Sequence, residues 1–194
     1  AVSGEINAAF DEDDVKAGND HIAVDADHVV ALWNGGNLRA DIAEGTFGAE
    51  ALAEVLPFPN KVAVVYMSGA QLLEALEAAS QALPYTVETA DACASLMQVS
   101  GLTYTINADI PSSVVKNDKS EFVKVDGAYR VSDIMVGGQP LDVSKTYTLA
   151  SHNYMLKQGG DGYAMFGTDN VKLLKDGVMI DNQVLINYIV NNLG

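Results

Sequence analysis

Cationic side chains are scarce in this sequence. Eleven Lys and Arg face 26 Asp and Glu over 194 residues, for a formal net charge of −15 and a pI near 4.3. No basic stripe offsets that field, which repels a polyphosphate backbone and excludes DNA or RNA as the partner. Arg39 and Arg130 are the two arginines, so either one in a loop is worth attention for planar, bidentate recognition. The single cysteine, Cys93, rules out an internal disulfide framework. Set between Ala92 and Ala94, with no identifiable partner histidine, it reads as a small buried hydrophobe rather than a catalytic thiol. Three histidines, His21, His28 and His152, are too few to assemble a dinuclear metal site without further ligand motifs. No apolar run reaches the length of a membrane span. With no initiating methionine and no signal peptide, Ala1 reads as the start of a mature chain or of an excised fragment.

Hydrophobic residues are plentiful, 48% of the chain, enough for a substantial core in one large domain or two small ones. Residues 1–27 form an acidic N-terminal segment containing Asp11-Glu-Asp-Asp14. A solvated segment is the favoured reading. Calcium binding through residues 11–14 and 25–27 is the weaker one, because the spacing of a calcium loop is missing. His28–Trp33 reads as a buried strand running into Asn34-Gly-Gly-Asn-Leu-Arg39. A short helix follows from Thr46 as N-cap through Ala49 to Val55. Pro57 and Pro59 restrict the backbone around Phe58, so little entropy is lost if its ring stacks on a ligand. A core Phe beneath the loop is the alternative.

Lys61–Met67 is the next strand, and Ser68-Gly-Ala-Gln71 is a capping box opening an amphipathic helix. Met97–Ile106 reads as one strand bent at Gly101, and residues 107–120 as polar loop. Glu121–Val125 and Tyr129–Val136 are expected to pair across an Asp126-Gly127 hairpin. Gly137-Gly138 marks another turn, Thr146–Ala150 a strand, and Asp181 the cap of a final helix. With no repeat and no internal break in composition, the expectation is a single α+β domain with mostly antiparallel or mixed sheets.

After that strand comes Ser151-His-Asn-Tyr154-Met-Leu-Lys-Gln-Gly159-Gly-Asp161-Gly-Tyr163. Glycines permit close approach of a ligand to the backbone, Asp161 can accept two hydrogen bonds from a diol, and a flanking tyrosine can cover a flat face. A tight turn around a satisfied Asp is the bland alternative. Taken together, Phe58 and Tyr154 would sandwich a heterocycle, Asp161 would hold a ribose, Arg39 would reach a ribose or phosphate oxygen, and Asn34 would meet a base edge. That set reads as a nucleoside pocket with no catalytic residues, since no nucleophile, acid–base pair or metal cluster accompanies it.

Four ordered motifs carry a resemblance: Asn34-Gly-Gly-Asn-Leu-Arg39-Ala-Asp, Val55-Leu-Pro-Phe58-Pro-Asn60, Met67-Ser-Gly-Ala-Gln-Leu72 and Gly159-Gly-Asp161-Gly-Tyr163. Over about residues 28–190 the chain resembles the C-terminal domain of the 5′-nucleotidase and UDP-sugar hydrolase family. The resemblance implies a layered α/β sandwich with mixed, mostly antiparallel sheets, formed by residues 28–194. It implies nucleoside or nucleotide binding through Asn34, Arg39, Phe58, Asn60, Tyr154 and Asp161. It also implies a separate N-terminal metallophosphatase domain of the same full-length protein. Two divalent metal ions and the hydrolytic chemistry would reside there, with no cofactor in this chain and no activity from it alone. An extracellular, cell-surface or periplasmic location follows. A stand-alone or degenerate non-catalytic binding or structural module is the alternative. Three departures stand out. Asn37 occupies the place of a third glycine. One extra residue separates Tyr154 from Gly159, so strict counting would select Met155. Residues 1–27 contain no arginine and no Gly-Asn-Leu helix to complete the pocket.

Overall fold

The computed structural model describes residues 29–45, 48–88 and 94–192. Strands are β1 (Val29–Asn34), β2 (Val62–Ser68), β3 (Met97–Ser100), β4 (Leu102–Ile106), β5 (Val114–Lys116), β6 (Phe122–Val125), β7 (Val131–Val136), β8 (Gln139–Pro140), β9 (Thr146–His152) and β10 (Lys172–Lys175). Helices are α1 (Ala49–Val55), α2 (Gly69–Ala79), α3 (Asn153–Gln158) and α4 (Asp181–Asn192).

The main sheet has five strands in the order β10-β2-β9-β1-β3. Its central strands carry near-continuous apolar runs, the pattern of strands buried on both faces. Val30, Leu32, Ala63, Val65, Met67 and Leu149 enter the main core. Val29, Val64 and Ala150 form a second, smaller cluster, joined by Ala31, Leu174 and Val178. The β9–β1 pair is parallel and the other three pairings of this sheet are antiparallel. Two small antiparallel sheets, β4-β7-β8 and β5-β6, complete the layered α+β architecture as one domain.

Helix α2 forms as its residues dictate. Ser68 Oγ accepts from the Gln71 N–H at 3.2 Å, and Gln71 Oε1 accepts from the Ser68 N–H at 2.8 Å, so the box is closed in both directions. Leu72, Ala75, Leu76 and Ala79 bury one face. Arg130 serves this region rather than a ligand. It is 3% exposed and donates to the carbonyls of Ser80, Leu83 and Ala108 at 2.6, 2.7 and 3.1 Å, cationic neutralisation of the carbonyl end of the helix.

Several local expectations are corrected. The Met97–Ile106 segment is two strands in two sheets, broken at Gly101. There φ is +80°, and a Cβ would lie 2.2 Å from the Val29 carbonyl oxygen, so only glycine fits. The Asp126-Gly127 hairpin does not form. β6 pairs with β5, which lies within the stretch 107–120 expected as loop, and β7 pairs with β4 and β8. The Asp126 N–H donates to Ser113 O and Ser113 Oγ donates to Ala128 O, fastening the turn onto the preceding strand. Helix α1 has Gly48 at its N-cap, without a side-chain cap. Thr46, Cys93, His21, His28 and residues 1–27 lie outside the described residues.

Candidate functional site

β1 and β9 run side by side in parallel, with Ala31 opposite Ala150, and their C-terminal ends deliver Asn34 and His152 to one place. His152 Nε2 lies 2.7 Å from Asn34 Oδ1, and Asn34 Nδ2 donates to Asp161 Oδ2. An ionised carboxylate only accepts, which settles the orientation of the amide. Nδ2 faces Asp161, Oδ1 accepts from His152, and His152 carries its proton on Nε2. Burial holds His152 neutral by lowering its pKa to about 4. Its Nδ1 is buried with no hydrogen-bond partner. Trp33 packs edge-on against the imidazole at 4.9 Å, and Tyr154 lies parallel to it at 6.0 Å.

Tyr154 belongs to α3, which ends at Gly159 in the left-handed conformation. Asp161 is also left-handed, at φ 54°, an uncommon place for a non-glycine residue. It is held there by a reciprocal pair: Tyr154 OH donates to Asp161 Oδ1 at 3.2 Å and accepts from the Asp161 N–H at 3.3 Å. The Tyr154 ring rests on Gly160, where a Cβ would come within 2.3 Å of it. Tyr163 anchors the loop from below. It is buried, donates to the Ser95 carbonyl and stacks on Phe166 at 5.8 Å. Met155, the residue that strict counting selects, is buried in the core, and Tyr154 is the aromatic at the cleft.

Opposite this loop, the Arg39 N–H donates to Val55 O at 2.9 Å, bringing the two motifs together. The Arg39 guanidinium sits 5.3 Å from the centre of the Phe58 ring. Phe58 and Tyr154 are 38% and 36% exposed, so part of each ring is open to solvent. Asn60 Nδ2 donates to Asn37 Oδ1 at 2.9 Å, and Asn37 Nδ2 donates to Asp181 Oδ2 at 2.9 Å. Burial pushes the Asp181 pKa up, opposed by its hydrogen bonds from Asn37 and Asn182.

These residues enclose a cleft of about 320 Å³ lined by Asn34, Gly36, Asn37, Arg39, Phe58, Asn60, Ala94, Tyr154 and Asp161. All six residues singled out from the sequence, Asn34, Arg39, Phe58, Asn60, Tyr154 and Asp161, line it. Sequence reasoning did not place His152, Asn37 or Asp181 in the site. Asn37 counts there only as a replaced glycine and Asp181 only as a helix cap. The signal available for His152 was a polar residue closing an apolar strand. Among the described residues no group of three or more His, Cys, Asp or Glu side chains converges to hold a metal. The cleft offers shape, stacking faces and hydrogen bonds, the equipment of binding.

Residues 6–168 match the family described as 5′-nucleotidase, C-terminal domain. The chain belongs to that family. Among relatives of the 5′-nucleotidase C-terminal domain, an apyrase of Tabanus yao is 31% identical over 165 residues, covering 82% of this chain and 26% of the relative. The protein UshA of Escherichia coli is 29% identical, covering 82% of this chain and 24% of UshA. The chain thus spans about a quarter of the length of these relatives. Among solved structures, a 5′-nucleotidase precursor of Thermus thermophilus shares the fold with a TM-score of 0.61 at 23% identity, over 98% of this chain and 32% of that one. The NAD nucleotidase of Haemophilus influenzae shares it with a TM-score of 0.63 at 22% identity, over 86% and 27%.

Proposed function

We propose that this 5′-nucleotidase C-terminal domain is the nucleoside-recognition part of a nucleotide hydrolase. The observation that carries the reading is the gathering of two exposed aromatic rings, a carboxylate, an arginine and three amides around one cleft. Phe58 and Tyr154 offer the stacking faces for a base, Asp161 accepts from the ribose hydroxyls, Arg39 reaches a ribose or phosphate oxygen, and Asn34 and Asn60 meet polar edges. Bond breaking is assigned to an N-terminal metallophosphatase domain of the same full-length protein, with two divalent metal ions that activate water and neutralise phosphate charge. The family unit spans 28–194, behind an acidic segment of residues 1–27. The compartment proposed is extracellular, cell-surface or periplasmic. One relative, of Listeria monocytogenes, is described as a cell wall protein. No helix among the described residues is long and apolar enough to cross a membrane.

The test is a titration with adenosine, uridine and AMP, followed by Trp33 fluorescence. Trp33 touches His152, which touches Tyr154, so a base on Tyr154 lies two rings from the reporter. Saturable quenching that Phe58→Ala shifts to higher nucleoside concentration supports the reading. A flat response to all three nucleosides sinks it.

A further inference from the structure

A left-handed backbone strains any residue but glycine, and the strain persists where the surroundings impose it. In Gly159-Gly-Asp161-Gly162, the flanking Gly159 and Gly162 take φ of 62° and 82°. Asp161 lies between them at φ 54°, although a glycine would sit there without strain. What the aspartate adds is a carboxylate at the cleft. That carboxylate is held through both oxygens. Asn34 Nδ2 donates to Oδ2, and the Tyr154 hydroxyl donates to Oδ1 at 3.2 Å. One donor would leave the group free to pivot, whereas two fix its plane. The same hydroxyl accepts from the Asp161 N–H at 3.3 Å, so one oxygen of Tyr154 holds both the backbone and the side chain of the strained residue. Each carboxylate oxygen keeps a lone pair beyond its internal donor, which makes two adjacent acceptors for two adjacent hydroxyls. The Tyr154 ring is seated by Gly160, where a Cβ would lie 2.3 Å from its Cε1 and 2.5 Å from its Cδ1. Gly160 is not left-handed, so its missing side chain makes room for the ring rather than for a turn.

We infer that the Tyr154 hydroxyl is a positioning group for sugar recognition: it sets the plane of the Asp161 carboxylate so that both oxygens meet the vicinal hydroxyls of a ribose. This role is separate from stacking, which uses the ring and not the oxygen. The inference rests on the nucleoside-binding reading of the cleft and names the group that makes Asp161 selective for a diol. A phenylalanine at this position would keep the stacking face and lose the preference for a ribose over a sugar without the two hydroxyls.

Adenosine and 2′,3′-dideoxyadenosine share the base and differ in the diol, and they make the test. By calorimetric titration the native protein is expected to bind adenosine roughly tenfold or more tightly, the scale of hydrogen bonds to a charged group. Tyr154→Phe deletes one oxygen and is expected to lower the adenosine-to-dideoxyadenosine ratio by about threefold or more, the scale of one hydrogen bond. Gly160→Ala keeps every polar group but drives the ring off its seat, and a fall in the same ratio is expected. A ring that serves stacking alone, or a substitution that merely loosens the fold, weakens both ligands alike and leaves the ratio standing. Equal affinities in the native protein, or an undiminished ratio in either folded variant, overturns the inference while leaving nucleoside binding in place. Absence of binding by either ligand to the native protein overturns the proposed function and the inference together.

Discussion

His152 shows how a site can fix the state of a buried side chain that does not line it. Because Asp161 can only accept, the Asn34 amide and then the imidazole tautomer are determined in turn. The depressed pKa makes this a statement about stability. Between about pH 4 and pH 6.5 the unfolded chain binds a proton on His152 that the folded chain refuses. Stability therefore rises with pH across that window, by up to about 1.4 kcal/mol per pH unit from this group, and is fully present above it. Urea titrations at pH 4.5, 5.5 and 7 are expected to show this slope, and His152→Gln to flatten it. An equally steep slope in the variant would assign the effect elsewhere. Phe58→Ala is expected to weaken nucleoside binding by about 1–3 kcal/mol, the loss of one stacked face, with little change in the denaturation midpoint because the ring is 38% exposed. Six residues that line the cleft could be picked out of the sequence because each lies in or beside a short motif that glycines or prolines mark. Asn37 and Asp181 were not, because the bond joining them spans 144 positions and neither residue's local surroundings announce a partner.

At the scale of the element, local chemistry decided some structures and distant packing decided others. The Ser68 box was legible because donor and acceptor lie within one helical turn. Ser68→Ala is expected to cost about 1 kcal/mol in chemical denaturation while leaving nucleoside affinity unchanged, since no α2 residue lines the cleft. A drop in affinity would mean that Gln71, which also holds the carbonyls of Met165 and Asn170, transmits the damage toward the 159–163 loop. The Asp126-Gly127 pair misled because it is a turn in composition, whereas its strands found better partners: β5 for β6, and β4 and β8 for β7. Hairpin chemistry states that the chain reverses, not which strands then pair. Likewise the alternating residues of Met97–Ile106 gave no sign that Gly101 passes the chain from one sheet to another.

For the whole molecule, the sequence conveyed the class of fold, since apolar runs separated by turns leave few alternatives to a layered α+β domain. The sheet order was not recoverable, because all four of its adjacent strand pairs are non-consecutive in the chain. The proposed division of labour is open to direct test. Supplied with Mn²⁺ or Zn²⁺, this 194-residue chain is expected to release no phosphate from AMP above a mock preparation. Among the described residues the one carboxylate lining the cleft, Asp161, is engaged by Asn34 and Tyr154. Release above background would show that the chain holds catalytic machinery of its own.

The place of β9 carries a further consequence, for synthesis. β9 lies between β1 and β2 in the main sheet, yet it follows β2 by more than seventy residues. While the ribosome is still extending the chain, β1 and β2 have no bridge between them and expose two apolar edges. The contact from Asn34 to His152 closes a loop of 118 residues, so the cleft is among the last features to form. Nascent chains halted before Thr146 should therefore aggregate or recruit chaperones, and chains extended past Asn192 should not. The ability to bind a nucleoside would then report that translation of this domain has finished.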